Sequence, residues 1–136
     1  MVLTLPEPTL RQLVSHCYDG LPDEACGLLG GRAGSDRVEV FVPTANADRS
    51  SRTYSIDGRD LLRAERELEG RGMEVLGVAH SHTHTEAYPS PTDVEQAPDP
   101  TWHYVIVSLR QEAPVTRSYR IVDGTISEEV VAVSDR

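Results

Sequence analysis

The sequence contains no lysine and few aromatic residues. All 13 basic residues are arginines, and Phe and Trp occur once each among 136 residues. A hydrophobic core therefore has to be built mainly from Val, Leu and Ile. Acidic residues number 22, which gives a formal net charge of −9. This charge argues against nucleic acid or an anionic membrane surface as a partner, because both would repel the protein.

Long apolar runs and cysteines are also scarce. No stretch approaches the ~18 apolar residues of a membrane-spanning helix, and Pro6 and Pro8 interrupt any leader-like run near the N-terminus. Cys17 and Cys26 are too few for a disulfide framework, so we expect two reduced core thiols, neither of them a nucleophile. These features predict a cytoplasmic protein. The length predicts one domain that spans residues 1–136.

The spacing of apolar residues predicts helices and strands. Helical spacing occurs in residues 6–19 and 60–69. Strand patterns lie at 24–31, 37–43, 54–56, 73–80, 103–109, 115–122 and 125–133, with the turn dipeptide Asp123-Gly124 between the last two. This order predicts an α+β fold, in which helices pack on a mixed or antiparallel sheet.

Residues 80–93 read HSHTHTEAYPSPTD and contain five candidate metal ligands: His80, His82, His84, Glu86 and Asp93. Because alternate residues of a strand share a face, His80 and His82 can bind one metal ion together. Ser90 followed by proline is typical of a helix start, which places Asp93 on the first helical turn. Asp93 is therefore either a capping-box acid or a ligand, and the two roles are compatible.

Two other triads are open alternatives. The set His80, His82 and Glu86 resembles the first metal motif of cupins, which are small all-β barrels. A cupin, however, has glycine six residues before the first histidine, where this chain has glutamate, and it has a second motif, which is missing here. The set His80, His82 and His84 would require the strand to continue past His82. Both alternatives fit this sequence less well than the triad that ends in Asp93.

The spacing within residues 80–93 matches the JAMM motif of the MPN+ metalloproteases, His-x-His-x7-Ser-x2-Asp. That family also has an upstream glutamate, and Glu24 in EACGLLG resembles it. The resemblance covers nearly the whole chain, and it implies a JAMM/MPN domain with a cytidine-deaminase-like mixed sheet. The chain departs from the pattern at Thr83, where many members have proline.

The resemblance also implies roles for individual residues. His80, His82 and Asp93 would hold one zinc ion per chain and leave a fourth position for water. Glu24 would take a proton from that water and pass it to the leaving amine. Ser90 would donate a hydrogen bond to the developing oxyanion.

The stretches DEACGLL, TEAYPS and SYRIVDG resemble the small bacterial Mec-type branch, the CysO–cysteine peptidases of cysteine biosynthesis. This implies a zinc-dependent peptidase that cleaves the amide between the Gly-Gly tail of a ubiquitin-like sulfur-carrier protein and an attached amino acid, expected to be cysteine. A deubiquitinase-like isopeptidase is the second interpretation, although the chain has little length for insertions. A non-catalytic MPN scaffold is the third, but scaffolds lose ligands that are present here. The sequence leaves the oligomeric state open, including a homodimer.

Overall fold

The computed structural model describes residues 1–136 as seven strands and three helices. The strands are β1 (Val2–Pro6), β2 (Cys26–Gly31), β3 (Val40–Thr44), β4 (Glu74–His82), β5 (His103–Ser108), β6 (Val115–Val122) and β7 (Thr125–Ser134). The helices are α1 (Glu7–Asp19), α2 (Gly58–Glu69) and α3 (Pro91–Glu95). None of the three has the length and apolar character that a membrane span requires.

The strands form one mixed sheet in the order β1-β7-β6-β5-β4-β2-β3. The pairs β1–β7 and β4–β5 are parallel, and the other neighbours are antiparallel. The sheet curls, because the segment that leads into β3 bonds to β1 at the far end. Thr4 N donates to Asp36 O at 2.8 Å, and Val38 N donates to Thr4 O at 2.9 Å. The predicted α+β architecture is confirmed.

The curled sheet separates two hydrophobic clusters. The cluster inside the curl packs against α1 and contains Leu3, Leu5, Leu13, Cys17, Phe41, Ala79, Val105 and Val107, among others. The cluster on the other face packs against α2 and contains Leu28, Ala64, Val78, Tyr104, Ile106, Tyr119 and Ile121. Because β4 contributes to both clusters, the prediction of a strand buried on both faces is confirmed. The candidate site lies at the C-terminal end of β4.

Three details of the fold differ from the sequence prediction. Strand β1 was not predicted, because it is only five residues long, ends at Pro6 and pairs with β7, at the other end of the chain. The prediction of a strand at 54–56 is wrong, since this segment belongs to a loop. Strand β4 continues two residues beyond its predicted end, to His82. The turn at Asp123-Gly124 has positive φ at both residues, as the predicted hairpin requires.

A polar cluster surrounds the buried side chain of His103 at the start of β5. Its Nδ1 donates to Glu129 Oε2 at 2.6 Å, and its Nε2 lies 3.2 Å from Asp36 Oδ1. Ser118 Oγ also donates to Glu129 Oε2, at 2.6 Å, and Arg120 Nε lies 3.4 Å from Glu129 Oε1. Burial alone would raise the pKa of Glu129, but these hydrogen bonds and the arginine charge hold it below its ordinary value.

We expect Glu129→Gln to lower the free energy of unfolding by about 3–5 kcal/mol at neutral pH, because it leaves the buried partners uncompensated. Because the folded-state pKa is depressed, the carboxylate stabilises the protein above about pH 4.5, and this contribution is lost as the pH falls further. Urea unfolding near neutral pH and below pH 4.5 measures both effects.

The neighbouring variant Glu128→Gln is the matched control. The Glu128 side chain is 48% exposed and pairs with Arg117, whereas the Glu129 side chain is 1% exposed. Exposed ion pairs contribute ~0–1 kcal/mol. Equal losses of stability in the two variants would contradict a structural role for the buried cluster.

Candidate metal centre and active site

The end of β4 and the start of α3 bring His80, His82 and Asp93 together. His80 and His82 share one face because β4 stays extended to His82. Asp93 Oδ2 lies 3.2 Å from His80 Nε2 and 3.0 Å from His82 Nε2. The three candidate ligand atoms all lie within 4.8 Å of one another. Such convergence of two imidazoles and a carboxylate is the geometry that a shared cation needs.

Asp93 is also the capping acid of α3. Asp93 N donates to Ser90 Oγ at 3.0 Å, and Ser90 N donates to Asp93 Oδ2 at 2.9 Å. The capping interpretation of Asp93 is confirmed, and the cap fixes the carboxylate beside the two histidines, where it could also bind a metal ion. The Ser90 hydroxyl accepts a hydrogen bond and donates to no protein acceptor, so its own proton is free to interact with a substrate.

The electrostatics of this triad favour a bound cation. Burial lowers the pKa of His80. Burial would also lower the pKa of His82, but its hydrogen bonds to Asp93 and to the Glu86 carbonyl raise it. Burial alone would raise the pKa of Asp93, yet hydrogen bonds from both imidazoles hold it well below its ordinary value. The triad thus keeps a carboxylate ionised in a buried place.

Both imidazoles are oriented by other residues. His82 Nδ1 donates to the Glu86 carbonyl at 2.8 Å, which directs Nε2 toward Asp93. The ring of Tyr54 stacks on His80, with centroids 4.2 Å apart and planes inclined by 22°. Two nitrogens and one oxygen held in this way match the ligand types that zinc prefers. The residues present therefore fit the metal that the resemblance implied.

The alternative triads are not formed. Glu86 contributes only its main-chain carbonyl, and its exposed carboxylate lies outside the ligand cluster. His84 is likewise exposed and outside the cluster. A mixed sheet with three helices also differs from an all-β barrel. The cupin alternative is therefore wrong, and the three-histidine alternative has no support in the geometry.

Glu24 lies just before β2, beside the triad. The β2–β4 pairing aligns Cys26 with His80, which brings Glu24 near the end of β4. Glu24 is 4% exposed, and its Oε1 has no hydrogen-bond partner. Burial raises the pKa of its carboxyl to about 8; the charge of His82 opposes this rise, and that of Asp93 adds to it. A buried, unpaired carboxyl is costly to keep, and such groups are typical of functional sites.

Asn46 connects Glu24 to the loop that carries Tyr54, and neither Asn46 nor Tyr54 was predicted as a site residue. Asn46 Nδ2 donates to Glu24 O and to Thr53 O, each at 3.0 Å. Asn46 Oδ1 accepts from Ser55 N at 3.1 Å. The sequence could have indicated a loop-stabilising role for Asn46, because an Asn side chain in a polar loop often forms hydrogen bonds with nearby main-chain groups. The link to Glu24, however, depends on the fold.

Ser81 and Thr83 anchor the end of β4 to the same two segments, the start of β2 and the loop that carries Tyr54. Ala25 N donates to Ser81 Oγ at 2.8 Å, and Ser81 N donates to Ala25 O at 3.0 Å. Thr83 Oγ1 donates to Ser51 O at 3.0 Å. Proline has no hydroxyl and could not form this last bond. Thr83, where many family members have proline, therefore links the end of β4 to the loop that contains Ser51.

Sequence comparisons identify relatives over most of the chain. Residues 6–122 match the family of prokaryotic homologues of the JAB domain. A CysO-cysteine peptidase from Mycobacterium tuberculosis is 44% identical over 136 residues, which cover 99% of this chain and 93% of that protein. A probable TtuB-protein conjugate cleaving protease from Thermus thermophilus is 36% identical over 98 residues, which cover 71% of this chain and 64% of that protein.

Solved structures share the fold. A protein from Desulfitobacterium hafniense superposes with a TM-score of 0.91 at 37% identity, covering 100% of this chain and 94% of that one. A JAB1/MPN domain protein from Archaeoglobus fulgidus gives a TM-score of 0.63 at 19% identity, covering 96% and 98% of the two chains, so it supports the fold alone. These matches confirm the predicted family. The chain belongs to the prokaryotic JAB (JAMM/MPN) family and is a hydrolase of the JAMM type.

Proposed function

We propose that this protein is a cytoplasmic zinc peptidase that cleaves a sulfur-carrier adduct. The scissile amide joins the C-terminal Gly-Gly tail of a ubiquitin-like carrier to an amino acid, expected to be cysteine. The observation that carries the proposal is the convergence of His80, His82 and Asp93 beside the unpaired carboxyl of Glu24. The substrate class is supported by the relatives, one named for a CysO–cysteine adduct and one for TtuB–protein conjugates.

In this proposal, His80, His82 and the Asp93 carboxylate would hold the zinc ion. Zinc bound there would supply Lewis-acid chemistry, which polarises a carbonyl and makes water nucleophilic near neutral pH. The carbonyl of Glu86 keeps His82 in the tautomer that presents Nε2. The stacked ring of Tyr54 limits rotation of His80 and covers it from solvent.

Glu24 and Ser90 supply the remaining groups. Glu24 takes a proton from the attacking water and gives it to the leaving nitrogen, so that a neutral amine departs. Its pKa near 8 leaves the carboxyl able both to accept and to donate a proton near neutral pH. A cation bound nearby would lower this raised pKa toward 7. The free hydroxyl proton of Ser90 donates to the oxyanion that forms on the carrier's carbonyl oxygen.

An apolar groove of about 230 Å³ is suited to the carrier tail. It lies over β2 and β4 and is lined by Leu28, Tyr54, Ile56, Leu61, Val78 and Trp102, among others. Tyr54 joins the groove to the site, because the same ring stacks on His80. An extended Gly-Gly tail can pass there without side-chain clashes and bond through its main chain.

The substrate proposal predicts that the tail matters more than the released side chain. Replacing the penultimate carrier glycine by valine should slow cleavage sharply, because a β-branched residue clashes beside the extended tail. Replacing the released cysteine by alanine should cost much less, since one such contact contributes only ~1–3 kcal/mol. Intact-mass measurement of carrier–cysteine, carrier–alanine and the valine-tail adduct, each incubated with zinc-loaded enzyme, tests both expectations.

Equal cleavage of the valine-tail adduct would contradict the assigned path of the tail. Efficient cutting of ubiquitin chains with no cleavage of any carrier adduct would replace this assignment with the deubiquitinase-like one.

A further inference from the structure

A polar cavity of about 470 Å³ lies on the β5 side of β4, whereas the apolar groove lies on its β2 side. The polar cavity lies over β5 and β6 and is lined by Glu86, Ser108, Arg110, Arg117, Tyr119 and Glu128, among others. The parallel β4–β5 pairing aligns Ser108 with His82, whereas the groove lies over β2 and the earlier part of β4. The end of β4 that carries His82 therefore lies between the strands under the apolar groove and those under the polar cavity.

Hydrogen bonds connect residues that line this polar cavity to the metal triad. Ser108 Oγ donates to Thr85 O at 2.6 Å, which fixes the turn after the histidines. The next residue in that turn, Glu86, accepts from His82 Nδ1 through its carbonyl. Glu86, which lines the polar cavity, therefore contacts the imidazole of His82 directly.

The charges in the polar cavity include one free cation. Arg117 pairs with Glu128 at 3.0 Å, so its charge is already compensated. Arg110 forms no ion pair with any carboxylate of the protein. Its main-chain N donates to Ser108 Oγ at 3.3 Å, which anchors it beside the residue aligned with His82. The Arg110 side chain lines the polar cavity, is exposed and carries an uncompensated charge, so it can bind an anion there, and carboxylates fit its geometry well.

We infer that the polar cavity is the subsite for the leaving amino acid and that Arg110 binds its free α-carboxylate. The inference rests on the proposed function. Hydrolysis breaks the carbon–nitrogen bond of the amide, places the water oxygen on the carrier's glycine carbonyl and returns a proton to the leaving nitrogen. A single amino acid keeps its carboxylate one carbon away from that nitrogen. A lysine side chain of a conjugated protein has no carboxylate there, so Arg110 selects carrier–amino acid adducts over carrier–protein conjugates.

The test compares carrier–cysteine with carrier–cysteine amide, in which the α-carboxylate is capped and uncharged. The wild type should prefer the free acid by about 10–100-fold in kcat/KM, the scale of a hydrogen-bonded charge. Arg110→Gln should lose this preference through a higher KM for the acid and cleave the amide as the wild type does. Arg110→Lys should retain part of the preference. Arg71→Gln, an exposed arginine in the turn before β4, is the matched control and should behave as the wild type.

The outcomes separate this inference from the proposed function. Equal cleavage of acid and amide by the wild type would overturn the role of Arg110 and leave the peptidase assignment intact. The same holds if Arg110→Gln keeps the preference or slows both substrates equally. If the wild type cleaves neither adduct, the proposed function fails and the inference fails with it.

Discussion

Replacing Glu24 by glutamine should lower turnover of carrier–cysteine by about 10²–10⁴-fold, the usual contribution of a positioned acid–base group. Glutamine has nearly the same size but cannot accept the proton of the attacking water. The metal should remain, because Glu24 is not one of the three converging ligands. Turnover by intact mass and zinc content by elemental analysis, both on the same preparation, separate chemistry from metal binding.

Cys26→Ser is the control for nucleophilic catalysis by the nearby thiol. Cys26 is buried, and burial raises its pKa, so little thiolate exists near neutral pH. We expect this variant to retain measurable turnover. If it is inactive while folded and loaded with zinc, Cys26 takes part in the reaction and the role given to Glu24 is wrong.

The same Glu24→Gln variant should change the pH dependence of stability in metal-free protein. The folded-state pKa of about 8 lies above the ordinary value of 4.5, so ionisation of Glu24 opposes folding. This penalty is absent below pH 4.5, grows as the pH rises and is complete above about pH 8. Metal-free Glu24→Gln should therefore gain stability relative to the wild type across this window, as measured by urea unfolding.

Replacing His82 by alanine should abolish both tight zinc binding and activity. The change removes one of two imidazoles, and with it one hydrogen-bond partner of the Glu86 carbonyl and one of the Asp93 carboxylate. The wild type should bind about one zinc ion per chain, as the single triad predicts, and a chelator should remove zinc and activity together. Isothermal titration with zinc and elemental analysis measure the binding directly.

His84→Ala and Glu86→Ala are the matched controls for zinc binding. Both residues lie within four positions of His82, yet their side chains are exposed and outside the cluster. Both variants should bind zinc as the wild type does. Loss of zinc in the Glu86 variant alone would mean that its carboxylate is a ligand, contrary to the triad with Asp93.

Local rules predicted the central part of the site. The alternation of His80 and His82 follows from strand geometry, and the place of Asp93 follows from the Ser90 cap. Both rules depend only on residues close together in the chain, so the spacing within residues 80–93 was enough to apply them. The family resemblance added Glu24, whose position depends instead on the pairing of β2 with β4.

The features that were missed depend on contacts between distant segments. His103 meets Glu129 and Asp36, which lie 26 and 67 residues away along the chain. Gly77 allows β5 to approach β4, since a Cβ there would lie 2.1 Å from the carbonyl oxygen of His103. Neither the partners of His103 nor the close approach at Gly77 can be recognised from the sequence of a single segment. The polar cavity is of the same kind, because β5, β6 and the turn after His82 form it together.

Anomalous X-ray scattering at the zinc edge, from crystals of enzyme shown to be active, locates the metal and its ligands. We expect one zinc peak per chain, bonded to Nε2 of His80, Nε2 of His82 and the carboxylate of Asp93, with Glu24 adjacent. A peak bonded to the Glu86 carboxylate or to His103, or an active enzyme with no peak at the triad, would contradict this assignment.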